Sequence, residues 1–163
     1  MKASLKAKFS IADIKKSFAE FSENFDQVII ERLSFVGEKF LVNARNNGNY
    51  TDQTGNLRSS IGYAIIKDGE FVVTKYNTST KQKKSKKKNL AAPQERNVTN
   101  SLLASIAEKF PKGFVLVGLA GMEYAAYVES KNKDVITSSA ITAENDLSSS
   151  LDELRMKLSG KKR

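Results

Sequence analysis

Six lysines within eight residues, Lys81, Lys83, Lys84, Lys86, Lys87 and Lys88, form the densest concentration of chemically competent side chains in this sequence. Ammonium groups at that spacing suit phosphate, because each one near a backbone phosphate releases a counterion and adds affinity without reading bases. They equally suit an acidic patch on a protein partner, where they would speed docking and set register, or plain solvation in a connecting loop. All three readings stand. No aromatic residue interrupts the run, so base stacking on single strands is not expected. These six lysines and the C-terminal Lys161, Lys162 and Arg163 account for the whole net charge of +9, which leaves a body with balanced charge. Only the appendages would steer toward a polyanion.

Other chemistry is sparse. With no cysteine and no histidine the chain lacks a thiolate nucleophile, disulfides, and the commonest metal ligand and general base. Asp13, Glu20, Asp52, Glu70, Glu129 and Asp134 are scattered singly, without the clustering of a carboxylate-bridged metal site. The expectation is a protein without catalytic residues, cofactor or metal. The longest apolar stretch, Phe114 to Met122, is far below the ~20 residues of a membrane span, and the basic N-terminus has no apolar region of a signal peptide behind it.

Residues 1–9 are expected to be a flexible arm. Ser10 and Asp13 then have capping-box spacing, and Ile14, Phe18, Phe21, Phe25 and Val28 repeat at helical intervals that Val36 and Phe40 resume after a slip. The helix should stop in residues 43–49. Some thirty residues make ~45 Å, longer than such a domain is wide, so part of this helix should extend outward to meet a neighbour. In residues 50–61, Thr54 can cap a short turn, Gly55 supplies a conformation other residues resist, Leu57 points inward and Ser60-Ile61 enters a strand. Asp68-Gly69 between two runs rich in Ile, Val, Phe and Tyr predicts a hairpin of residues 60–67 and 70–76. Residues 77–92 carry the lysine run and are expected to be a mobile basic loop.

A helix over 93–110 follows, with Val98, Leu102, Ile106 and Phe110 at successive fours, then a buried strand over 113–119 and a turn at Ala120-Gly121. Tyr124, Tyr127 and Val128 share one face of a short helix ending at Glu129. The two rings are expected to pack in or at the edge of the core, with anchoring of an interface as the alternative. Arg58 either pairs with Glu129, tying the corner to this helix, or stands in water. A short strand is expected over 133–139 through Val135-Ile136-Thr137. A last helix should begin near Ala140 or Thr142, with Leu147, Leu151, Leu154 and Leu158 inward and Gly160 as cap. The sum is one α+β domain over 1–163, a small mostly antiparallel sheet packed by a long N-terminal, a middle and a C-terminal helix, with a basic tail over 160–163.

Two stretches, Thr54-Gly55-Asn56-Leu57-Arg58-Ser59-Ser60-Ile61 and Tyr124-Ala125-Ala126-Tyr127-Val128-Glu129, resemble the neck or tail-completion proteins of long-tailed bacteriophages. That family shows Thr-Gly-x-Leu-Arg-x-Ser-Ile after a long first helix and Tyr-Ala-x-Tyr-Val-Glu before a C-terminal helix, and the likeness covers roughly residues 30 to 160. The resemblance implies a structural virion protein at the head-tail joint, made in the host bacterial cytoplasm. It would form a ring of six or twelve copies that adjoins connector and tail proteins and lines the DNA path. The rival class is a nonspecific nucleic-acid-binding module in which the lysine run is the working part.

Overall fold

The computed structural model describes residues 10–52, 55–76 and 94–160. The expectations for the arm (1–9), the lysine loop (77–92) and the last three residues of the tail fall outside them. Eight elements follow in chain order: α1 (Ile11–Asn47), α2 (Asn56–Ser60), β1 (Ile61–Lys67), β2 (Glu70–Lys75), α3 (Gln94–Lys109), β3 (Phe114–Ala120), α4 (Ala125–Ser130) and α5 (Thr137–Leu158). This is the α+β arrangement expected, with all three strands antiparallel in the order β2-β1-β3.

Local chemistry explains the boundaries. At the start of α1 the Ser10 hydroxyl accepts the Asp13 amide and the Asp13 carboxylate accepts the Ser10 amide, a complete capping box that holds the Asp13 carboxyl below its ordinary pKa. Between β1 and β2, Asp68 and Gly69 both take positive φ, 51° and 83°, the pair of left-handed residues that a two-residue hairpin requires. Asp68 also fixes the approach to β3, since its amide donates to the Gly113 carbonyl (2.9 Å) and its carboxylate accepts the Gly113 amide (2.8 Å).

β1 is the centre of the molecule and is buried along all but its last residue. Its alternation sends Ile61, Tyr63 and Ile65 toward α1, among Leu33, Phe40 and Ala44, while Ala64 meets Leu103 of α3 and Leu119 of β3. Helices therefore cover both faces, with α1 and α5 on one side and α3 on the other. Contact is close enough that two positions admit no side chain: a Cβ on Gly37 would lie 2.6 Å from the Tyr63 ring, and one on Gly118 would lie 2.6 Å from the Phe40 ring. The Tyr63 hydroxyl donates to Glu38 (2.9 Å), and burial together with that carboxylate pushes its pKa up to about 12.

Four expectations are corrected. Ser60 closes α2 instead of opening the strand, its hydroxyl donating to the Leu57 carbonyl (2.8 Å). No strand forms over 133–139: Val135 is a buried core residue, and Thr137 already begins α5, several residues before Ala140. The inward stripe of α3 is Leu103 and Ala107, with Leu102 and Phe110 exposed. In α5, Leu147 and Leu154 are half-buried and Leu151 is exposed, so the helix packs mainly through its first half. Gly160, at φ 69°, follows α5 as the expected left-handed cap.

Candidate assembly surfaces

α1 is 37 residues long, ~55 Å at 1.5 Å per residue, and its first buried side chain is Leu33. The apolar stripe read in the sequence therefore splits. Val36 and Phe40 enter the core, whereas Ile14, Phe18, Phe21 and Val28 are exposed, Phe18 by 71%. Phe21 and Phe25 stack on one another with ring centroids 6.3 Å apart. The base of this arm is anchored by Lys67 of β1, which donates to Asp26 (2.5 Å) and lies over the Phe114 ring. That hydrogen bond raises the Lys67 pKa. From Asp26 to Ile11 the helix runs a further ~22 Å.

The corner before β1 is built for support. Thr54, expected to cap this turn, lies outside the described residues. The capping seen is by Asp52, whose carboxylate accepts the amides of Gly55 (2.9 Å) and Arg58 (2.8 Å). Gly55 has φ 74°, as expected of it, and Leu57 is buried. Arg58 does not reach Glu129; its guanidinium lies 5.5 Å above the Tyr50 ring and donates to the Gly48 carbonyl (3.5 Å). Burial pushes the Tyr50 hydroxyl up in pKa, against the pull of the Arg58 cation. Arg45 completes the corner by donating to the Ile61 carbonyl (2.8 Å). Asp52, Arg45 and Tyr50 were missed by sequence reasoning, although an Asp three residues before a Gly is a legible turn signal.

On α4 the aromatic face is turned outward. Tyr124 is exposed and Tyr127 is 64% exposed, with the Lys131 ammonium 5.3 Å from the Tyr127 ring, while Ala125 and Val128 face the core. Neither tyrosine is buried in the core: Tyr124, 43% exposed, sits at its edge, and Tyr127 stands on the surface. Glu129 instead caps α5: its carboxylate accepts the Thr137 amide (3.0 Å) and hydroxyl. Asp134 does the same for the Ser138 amide (3.0 Å) and hydroxyl. Two carboxylates at one helix N-terminus satisfy two of its free amides and complement its dipole.

An open cleft of about 660 Å³ runs beside β3, between Leu102 and Ile106 of α3 and Ala126 of α4. Nothing in the sequence marked it, because its walls come from four separate elements, α3, β3, α4 and the start of α5 at Thr137. A smaller hollow of about 250 Å³ lies under α5, among Phe40, Leu116, Ile136 and Leu147. Among the described residues no group of three or more Asp or Glu side chains gathers to hold a metal, and no helix is long and apolar enough to cross a membrane. The six lysines of residues 81–88 lie outside the described residues. Comparison with protein-family models, with curated proteins and with solved structures finds no match for this chain.

Proposed function

We propose that this chain is a structural subunit of the head-tail joint of a long-tailed bacteriophage, assembling into a ring between connector and tail proteins. The observation that carries the reading is the exposed apolar half of α1. Ile14, Phe18, Phe21 and Val28 are 40–71% exposed, so burying what remains of them would contribute roughly 3–6 kcal/mol in all, against an association cost of ~4–15 kcal/mol. One such contact is marginal. Contacts that repeat head to tail and close on themselves are self-reinforcing, and closure is what separates a ring from a filament. The Thr-Gly-x-Leu-Arg and Tyr-Ala-x-Tyr-Val-Glu stretches support the phage assignment by resemblance, and six or twelve copies follow from the same analogy. In this reading the chain performs no turnover, and Lys81 to Lys88 hold DNA or an acidic neighbour without sequence preference.

Mass spectrometry of purified particles, with negative-stain imaging of the isolated protein, tests the proposal. The chain is expected in intact virions at a fixed small copy number and as annular particles when pure. Its absence from virions, together with tight salt-dependent nucleic-acid binding that disappears when Lys81 to Lys88 become Gln, would establish the nucleic-acid-binding module instead.

A further inference from the structure

β3 is the end strand of the sheet, and among the described residues no strand pairs with its outer side. Four consecutive residues of that strand, Val117 to Ala120, border the 660 Å³ cleft. Successive strand side chains point to opposite faces, so one space can border all four only if it opens on the strand's edge. Its walls are largely apolar, and the charged residues on them, Glu123 and Glu129, are both acids. An open strand edge between apolar walls takes an extended segment by adding a strand, with backbone hydrogen bonds for affinity and side-chain pockets for selection.

The sequence carries a segment of that chemistry. In Met1-Lys2-Ala3-Ser4-Leu5-Lys6-Ala7-Lys8-Phe9, which lies outside the described residues, every odd position is apolar and every even position polar, three of them lysine. A period of two is the pattern of a strand with one apolar side, and the lysines match the acids of the cleft. We infer that residues 2–9 of one copy add as a strand to the outer edge of β3 in a second copy. The inference rests on the assembly reading and names the partner surface. Geometry makes the partner another copy: from Ile11 to Phe40, whose ring lies against Gly118, α1 runs ~43 Å, whereas nine extended residues span at most ~32 Å. The segment therefore cannot lie along its own cleft, and the projecting half of α1 carries it to a neighbour's.

Because the chain has no cysteine, introduced thiols report contacts without background. Full-length Ala7→Cys and Ala126→Cys chains are mixed and oxidised. A mixed disulfide dimer is expected, and adding Leu5→Pro to the Ala7→Cys chain should reduce it at least tenfold by removing a ladder donor. Annular particles without any mixed disulfide would overturn strand addition while leaving the assembly reading intact. So would a disulfide that forms only within the dilute Ala7→Cys/Ala126→Cys double variant, or one that links Ala126→Cys to Ser85→Cys in place of Ala7→Cys. Failure of the assembly reading shows separately, as every variant and the parent remaining monomeric by light scattering.

Discussion

Asp52 is the residue on which the corner before β1 turns, since its one carboxylate satisfies two backbone amides that α2 would otherwise leave open. Asp52→Ala should lower stability by about 1–2 kcal/mol, a fall in Tm of roughly 2–8 °C by thermal denaturation. Asp52→Asn should fall between the two. Tyr63 makes a different prediction, one of pH. The folded protein holds the phenolic proton to about 12, while the unfolded chain releases it near the ordinary value of about 10. Its contribution is therefore complete below pH ~10 and lost as pH rises toward 12. Lys67, whose pKa is raised by Asp26, adds a loss of the same sign at alkaline pH. Denaturant midpoints measured at pH 9, 10 and 11 should fall steadily for the parent chain and less steeply for Tyr63→Phe, with the Lys67 part remaining.

At the scale of elements, the N-terminus of α5 and the two halves of α1 show what a sequence discloses and what it withholds. Val135-Ile136-Thr137 is β-branched and apolar, which reads as a strand, yet Glu129 and Asp134 supply carboxylates to the amides of Thr137 and Ser138 and start a helix there. Glu129 folds back from eight residues upstream, which no local pattern contains, whereas Asp134, four residues before Ser138, is the local part of the signal. Glu129→Gln with Asp134→Asn should cost about 1 kcal/mol or more, read as a lower Tm and as faster amide exchange over Thr137 to Ala140. The hairpin at Asp68-Gly69 and the capping box at Ser10 were legible because their chemistry is local. In α3, Leu102 and Ile106 lie four apart, and so do Leu103 and Ala107; periodicity alone does not choose between these neighbouring stripes. The stripe of α1 was legible as a stripe, but helical spacing reports only that a face will be covered, never by which chain. Phe18→Ser with Phe21→Ser should therefore lower the monomer's unfolding free energy by no more than about 1.5 kcal/mol, because both side chains are exposed and the change removes the Phe21–Phe25 stack. The same change should abolish assembly.

At the scale of the whole molecule, a sheet with helices on both faces carries three surfaces that the described residues leave uncovered. These are the projecting half of α1, the outward tyrosines of α4 and the cleft along the edge of β3. The projecting helix and the cleft are unlike surfaces, which suits head-to-tail repetition better than a two-fold dimer, in which one surface meets itself. The fold class and the outward extension of the first helix could be read from residue order. The cleft could not, because α3, β3, α4 and the start of α5 bring its walls together from distant positions. The most direct measurement is the mass of the purified chain in solution, by light scattering across a range of concentrations, beside the Phe18→Ser/Phe21→Ser variant. A closed multiple of the chain mass for the parent and a monomer for the variant is the predicted result. A parent chain that stays monomeric throughout, or a variant that assembles as the parent does, would contradict assembly through the first helix.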